Sequence, residues 1–518
     1  MKTDSIIIVG GGSSGWMTAA TLIRLFPKKK ITLIESANTP IVGVGESTLG
    51  QINHWLNLLG IKDKDFMKDC DASYKLSIKF NNFYMKRSGG FHYPFGDPLV
   101  AGLSGGINTW WLKKYMYPQK TGYADYARFL YPGMALVEQN KFGPNVNGDL
   151  GNFNLERDSA YHFDAIKFGQ TLKNNICIPE GVVHIVDDIN NSQKDENGNI
   201  VSLNNKYFAD LFIDCTGFKS LLLGQMMGVK FNSYNDLLPN DRAIATRIPY
   251  TNKEKELEPF TTCTAIENGW VWRIPSWERI GTGYVYSSKY VSDERALLEF
   301  QGSVQHETAF DMKQHDLDYK YIKMRIGIHD EIFHKNVVAI GLSAGFIEPL
   351  ESNGLFTVHQ FLLYLSRILH KEDLNQFDKD GYNLKCTNEF NTFAEFVAMH
   401  YYLSQRDDTP YWKDLTSKSV EKLKKKDWGD IDLLLRLKMD NEFSDTLGLH
   451  CVATGLHQSP IDPTEICLRN NTTNYEEWFN QHAKTACSAR DLMVQGWKHS
   501  AKKKPKLIDV LTEIHASS

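Results

Sequence analysis

Several clusters of residues in this chain have types and spacings suited to chemistry. Gly10-Gly11-Gly12-Ser13-Ser14-Gly15 fits G-x-G-x-x-G, directly after an apolar strand and at the opening of a helix. Gly10 permits a tight turn, Gly12 lets a pyrophosphate approach the backbone, and Gly15 lets helix and strand pack closely. The helix start at Ser13 and Ser14 then turns its N–H groups toward the phosphates. Glu35 stands 20 residues after Gly15, at the end of the next apolar run, where a carboxylate accepts hydrogen bonds from ribose hydroxyls. Both flanks that the motif requires are present, so dinucleotide binding is expected.

Two later segments select FAD over NAD. ADLFIDCTG (209–217) and VVAIG (337–341) are apolar strands, the first ending in Asp214 and Gly217, the second running into LSAGFIEPLESNG. Rossmann-like FAD domains return to their cofactor with such strands, and no second glycine fingerprint offers a place for a nicotinamide nucleotide. Trp270-Val271-Trp272-Arg273-Ile274-Pro275 sets two tryptophans at i and i+2, on one face of a strand that Pro275 ends. They form a bulky apolar wall. In ASYKLSIKF, Tyr74, Leu76, Ile78 and Phe80 alternate with Lys75, Ser77 and Lys79. Taken alone, that period of two predicts one strand with both lysines toward solvent. EPLESNG holds two carboxylates three residues apart, Glu348 and Glu351. The eight cysteines include no CxxC and no Cys/His cluster at metal-ligand spacing, so neither a zinc site nor a disulfide framework is expected and a reducing cytoplasm is.

With WVWRIP in place the chain resembles the flavin-dependent halogenases of the tryptophan halogenase family. The resemblance runs through GGGSSGWM, ITLIES, GVGES (43–47), ASYKLSIKF (72–80), YHFDA (161–165), ADLFIDCTG, WVWRIP, GTGYVYSS (281–288), EPLESNG (348–354) and SQRDDTP (404–410). It implies that Lys75 and Glu351 are catalytic. The lysine would hydrogen-bond hypohalous acid or, once neutral, form a haloamine; the glutamate would polarise that acid or take the proton lost by the substrate ring. It implies a halide held by the backbone N–H groups of Asn353 and Gly354, where tryptophan enzymes carry Thr at the first position, which leaves room for larger halides. It adds Gly45, Val186, Asp214, Leu342 and Leu355 to Gly10, Gly12, Ser13, Ser14, Gly15 and Glu35 as cofactor residues. Trp270, Trp272, Ile274 and Pro275 would keep organic substrate from the flavin. On the substrate side, Tyr93 and Phe95 stand where tryptophan-specific members have His and Phe, and Met439, Phe443 and Ser444 where they have Glu, Phe and Trp. Without that Glu the ammonium of a free amino acid loses its partner. The resemblance therefore implies an open pocket for an indole, phenol or other electron-rich aromatic rather than free tryptophan.

These residues need elements to hold them. The first forty residues read as β-turn-α-β: a strand at 6–9, helical spacing over 17–25 and a buried strand at 31–34, which imply a parallel sheet. Between about 50 and 375 short strands, loops and helices mix, and the polar stretch at 190–199 reads as an exposed hairpin tip. Beyond 375 glycine thins and helical spacing dominates. The expected fold is α/β, a Rossmann-like FAD-binding domain of flavin monooxygenase type (1–375) with a mostly helical C-terminal substrate-side domain (376–518). The aromatic segment at 100–135 reads as ordinary core, with a substrate wall as the alternative. With 518 residues, 42% hydrophobic, 23% charged and a formal net charge of -4, the chain has ample core and no polyanion-binding footprint. No apolar run reaches the ~20 residues of a membrane span, and the N-terminus does not read as a signal peptide.

The reading that follows is a cytoplasmic two-component halogenase. A separate flavin reductase supplies FADH2 by diffusion; halide, whether chloride, bromide or iodide, is oxidised at the flavin; and a small aromatic is halogenated near Lys75. No nucleic acid, membrane or metal is called for, and a homo-oligomer is left open. The alternatives are a flavin-dependent aromatic monooxygenase and a non-catalytic FAD-binding flavoprotein.

Overall fold

The apolar run at 6–9 becomes Ser5–Val9, buried on both faces as a central strand of a parallel sheet must be. The structure, a computed structural model, describes residues 1–38, 46–99, 110, 113, 114, 116–424, 447–458 and 484–516. Six strands line up in the order Phe333–His334, Val337–Ala339, Leu211–Asp214, Ser5–Val9, Lys30–Glu35 and Val183–Val186. All neighbours are parallel except the first pair. The strand at 31–34 and the two late returns at 209–217 and 337–341 therefore stand where the sequence placed them, in one Rossmann-like sheet. The first helix, Ser13–Leu25, begins a turn earlier than its apolar spacing indicates. Its opening residues Ser13, Ser14 and Gly15 are small and carry no hydrophobic period.

A seven-stranded sheet runs Lys320–Lys323, Arg242–Ile248, Ile280–Tyr286, Gly269–Pro275, Phe260–Ile266, Ser77–Asn81, Gly90–Pro94. Its strands are antiparallel apart from the pairing of Phe260–Ile266 with Ser77–Asn81. A small antiparallel sheet, Glu46–Ser47, Ala160–Phe163 and Ser73–Lys75, lies beside it.

The segment ASYKLSIKF departs from its sequence reading. It forms two strands, Ser73–Lys75 in the small sheet and Ser77–Asn81 in the large one. The switch falls at Leu76, whose N–H bonds to the Pro259 carbonyl at 2.7 Å. Lys75 is fully buried, and Lys79 is half-buried with its ammonium 5.8 Å from the Phe260 ring centre. Alternation marks a solvent face only where one side of a sheet is wet, and here both sides are covered. The helix Leu447–Gly455 packs so closely on Gly90–Pro94 that a Cβ on Gly455 would lie 2.1 Å from the Phe91 ring.

The polar stretch at 190–199 forms a hairpin of Ser192–Lys194 and Ile200–Leu203, its turn held by the Asp195 carboxylate accepting from the N–H groups of Asn197 and Asn199. In the aromatic segment, Trp110, Tyr126, Phe129 and Tyr131 are buried core. The helical part opens with Gln376–Tyr402, whose first turn is closed by a reciprocal cap between Asn375 and Asp378. The N-terminal ammonium donates to the Leu374 carbonyl at 2.8 Å, tying this junction back to the first strand's end of the chain. Among the described residues no helix is long and apolar enough to cross a membrane.

Gly15 is where helix and strand meet most tightly: a Cβ there would lie 1.9 Å from the Gly10 carbonyl oxygen. Gly15→Ala is expected to destabilise the fold by about 1–3 kcal/mol, as overpacking against backbone does, measured by urea denaturation of the two proteins side by side.

Candidate active site

The glycine turn, the helix start and the ends of the parallel strands enclose a cavity of about 780 Å³. Gly10, Gly12, Ser13, Ser14 and Glu35 line it, as do Leu342 and Leu355. Gly10 has φ +115 and a Cβ there would meet the Cys215 carbonyl oxygen at 2.3 Å, so only glycine makes this turn. Glu35 accepts from His184 Nε2 at 2.6 Å and Lys173 Nζ at 3.2 Å, which fixes its carboxylate at the cavity edge. A Cβ on Gly11 would lie 1.6 Å from Glu35 Oε2. Gly341, at φ +71, brings its backbone within reach of Ser14 and so turns Leu342 toward the helix N-terminus. A cradle without side chains, a thirteen-residue helix aimed at it and a carboxylate beside it fit a dinucleotide.

Other expected cofactor residues sit behind this lining. Gly15 is packed against Gly10. Asp214 is buried, and its carboxylate accepts from the N–H groups of Thr216, Leu222 and Leu223. It thereby shapes the turn whose residues 215–218 line the cavity. Val186 is 58% exposed, and residues 187–190 line the cavity next to it. Gly45 lies outside the described residues.

Trp270, Trp272 and Ile274 line the opposite wall, with the two indoles 6.2 Å apart. Gly283 on the neighbouring strand leaves room for Trp272, since a Cβ there would be 2.2 Å from its ring. Pro275 ends the strand and offers its carbonyl to Ser73 and His162.

Lys75 is fully buried beside this cavity. Its Nζ donates to Ser352 Oγ at 2.8 Å and to the Thr48 carbonyl at 2.9 Å, and the Phe95 ring centre is 4.9 Å away. Burial pushes its pKa down to about 7, against the pull of Cys263 and Glu351. Ser352 itself lines the flavin-sized cavity, so one hydroxyl separates the amine from it. Glu351 is fully buried in the short turn Pro349–Glu351, and desolvation raises its pKa. Tyr93 and Phe95 lie beside these residues with ring centres 6.4 Å apart, and the Glu351 charge adds to burial in raising the Tyr93 phenol. Lys75, Glu351, Tyr93 and Phe95 are thus brought together. Phe443 and Ser444, with Met439, lie outside the described residues.

Asn353 is buried and caps the helix Gly354–Leu369. As the first helical residue, Gly354 has an N–H with no partner inside the helix. Gly354 lines the cavity, and a Cβ on it would meet nothing within 4 Å.

Sequence reasoning missed His400. It is fully buried near the end of Gln376–Tyr402, with Nε2 2.7 Å from Glu351 Oε1 and Nδ1 3.1 Å from the Phe396 carbonyl. A single histidine in the aromatic stretch AMHYY carries no spacing that separates a partner from core. Glu348, given no role, is also buried; it accepts from Asn240 Nδ2 at 2.9 Å and from the Tyr401 hydroxyl, and burial pushes its pKa up to about 7.

The fold and site define a Rossmann-type dinucleotide-binding protein with a buried lysine and glutamate beside its nucleotide cavity, and known proteins sharpen that class. The family model for tryptophan halogenases matches residues 5–427. The chain belongs to the tryptophan halogenase family and is a flavin-dependent halogenase. It is 36% identical over 444 residues to the 7-chloro-L-tryptophan 6-halogenase KtzR of Kutzneria sp. (strain 744), covering 80% of this chain and 82% of that protein. It is 33% identical over 431 residues to the tryptophan 7-halogenase RebH of Lentzea aerocolonigenes, covering 80% and 78%. The apo structure of VirX1 matches with a TM-score of 0.88 at 39% identity, covering 99% of both chains.

The buried amine has a stability consequence with a definite sign. The native lysine releases its proton near pH 7 and the unfolded one near 10.5, so between those values the unfolded state binds more protons and stability rises with pH. Lys75→Met is expected to raise the thermal midpoint most at and below about pH 7, with the gain shrinking toward pH 10. Scanning calorimetry across that range checks it.

Proposed function

We propose that the protein halogenates a small electron-rich aromatic, an indole or phenol rather than free tryptophan, with Lys75 and Glu351 as the catalytic pair. The observation that carries this reading is the Lys75 amine, fully buried and joined to the nucleotide cavity through Ser352. Bound FADH2, delivered by a separate reductase, supplies with dioxygen the oxidant that turns halide into hypohalous acid. The backbone N–H groups at Asn353 and Gly354 hold the halide at the positive end of a sixteen-residue helix. The open space over Gly354 favours bromide or iodide. Trp270, Trp272 and Ile274 exclude organic substrate and water from the oxidant. The helical part from 376 onward completes the chamber, contributing His400 against Glu351.

Lys75 receives the hypohalous acid, and its neutral amine displaces hydroxide from the halogen, losing a proton to give a haloamine and water. Glu351 accepts the ring proton as the aromatic carbon takes the halogen. Tyr93 in place of a histidine, and Met439 in place of the glutamate that tryptophan-specific members use, support a substrate without an ammonium.

The test combines the protein with FAD, a generic flavin reductase, NADH and bromide or iodide, over a panel of indoles, phenols and tryptophan, read by mass spectrometry with freely diffusing hypohalous acid trapped. Aryl halide is expected, with simple indoles at least about tenfold ahead of tryptophan. Lys75→Ala is expected to lose about a hundredfold or more. Oxygen incorporated without any need for halide, or undiminished halogenation by Lys75→Ala, would overturn the reading.

A further inference from the structure

Beyond Ser352 the hydrogen bonds continue, and they join motifs to which no role has yet been given. Ser352 Oγ donates to Ser47 Oγ at 3.2 Å, Ser47 Oγ is 2.6 Å from Thr261 Oγ1, and Thr261 Oγ1 is 2.9 Å from His162 Nε2. Ser47 belongs to GVGES and His162 to YHFDA. His162 and Thr261 are buried, as are Lys75 and Ser352.

The polarity of this chain is fixed at both ends. His162 Nδ1 lies 3.1 Å from the Pro275 carbonyl, which can only accept, and the Ser73 hydroxyl donates to that same carbonyl. Nδ1 therefore carries the proton, and Nε2 is a bare acceptor. Thr261 must donate to Nε2, Ser47 to Thr261 and Ser352 to Ser47. At the far end the Lys75 ammonium donates to Ser352. Every hydroxyl points its proton away from the lysine. Past His162, Nδ1 faces the Pro275 carbonyl, which cannot pass a proton on, and the Ser73 hydroxyl 3.3 Å away, whose own proton is given to that carbonyl.

We propose that Ser352, Ser47, Thr261 and His162 form a proton relay that takes a proton from the Lys75 ammonium and parks it on His162 during turnover. One N–H bond breaks at Nζ, each hydroxyl receives one proton and gives one up, and one N–H bond forms at Nε2. Ammonium plus imidazole becomes amine plus imidazolium, with no oxidant and no net charge change. The amine is then the nucleophile that the haloamine step requires. When the haloamine has passed its halogen to the ring carbon, and its nitrogen has taken up from Glu351 the proton that the ring lost, the imidazolium returns its own proton along the same path. This inference rests on the catalytic role proposed for Lys75.

The groups facing the two ends are few. Cys263 from the neighbouring strand and Glu351 from the turn face Lys75; Lys75 itself and Arg273 face His162. Arg273 is paired with Glu258. Burial and the Lys75 charge hold His162 well below the usual imidazole range. Loss of the lysine's charge is therefore what makes room for an imidazolium, which couples the two ends.

The test is single-turnover halogenation of an indole by the flavin-loaded enzyme between about pH 6 and 8.5, read as the ratio of His162→Gln to wild type, so that titrations common to both proteins cancel. Gln accepts the Thr261 hydrogen bond and cannot take up a proton. With the relay cut, Lys75 must lose its proton to solvent, so the ratio is expected to fall about tenfold per pH unit below pH 7 and to approach one near pH 8.5. A ratio that is constant with pH, whether low or near one, overturns the relay and leaves His162 with a structural role. Thr261→Val cuts the same chain and must show the same slope, with Thr261→Ser restoring it. That pair decides the matter should His162→Gln fail to fold. Wild-type halogenation lost in Lys75→Ala but pH-independent in both relay variants removes the relay alone, whereas no aryl halide from wild type removes the lysine's role as well.

Discussion

The burial of one ammonium governs this structure. A lysine nitrogen removed from water costs several kcal/mol unless hydrogen bonds and a nearby opposite charge offset the loss. Here the offset comes from the Thr48 carbonyl, the Ser352 hydroxyl, the Phe95 ring face and the Glu351 carboxylate. They arrive from three separate parts of the chain, Glu351 and Ser352 together from one turn. The strand switch at Leu76, the left-handed turn at Ser352 and the loop at Thr48 are all needed to put those groups around a single atom. The arrangement keeps the amine close to neutrality, where a small change in surroundings decides whether it is an acid or a nucleophile.

The carboxylate that faces it has the same problem with opposite sign. Glu351 is desolvated and lies 2.7 Å from His400 Nε2 on the long helix Gln376–Tyr402. That helix runs from the capped junction at Asn375 inward, so its last turns deliver His400 and Tyr401 to two adjacent buried carboxylates, Glu351 and Glu348. The helical part thus takes part in the electrostatics of the site as well as covering it. A buried carboxylate without such partners would be driven to its neutral form by desolvation alone.

How much of this was legible in the sequence depended on whether the signal was local. The glycine turn, the helix behind it and Glu35 follow from residues within one β-turn-α-β unit, and they stand in that order around the cavity, the helix starting a turn earlier than its apolar spacing indicates. The tryptophan wall was equally readable, since i and i+2 on a strand fixes a common face. Lys75 was identified by resemblance, yet its surroundings were not readable: alternation in ASYKLSIKF predicts a wet face, and only the layers on both sides of the sheet remove it. His400 was invisible because its partner is 49 positions away and no periodicity links them. Val186 and Asp214 show a subtler limit. Both were named through the resemblance and lie at strand ends, with the residues just after them lining the cavity.

The same distinction explains why the hydroxyl chain went unnoticed in motifs already in view. GVGES, YHFDA and EPLESNG each contribute a serine or histidine with no chemical meaning in its own segment. They acquire one when the small antiparallel sheet sets Ser47 beside His162, with the strand of Lys75 on the other side of His162's strand, and the parallel pairing of Phe260–Ile266 with Ser77–Asn81 lays Thr261 opposite Ile78. A line of hydroxyls at this boundary carries the cost of burying polar groups, which apolar side chains in the same places would not. Its fixed polarity, set by a carbonyl that can only accept and an ammonium that can only donate, makes one direction of proton movement available. Burial of the lysine then sets the occasion for that movement.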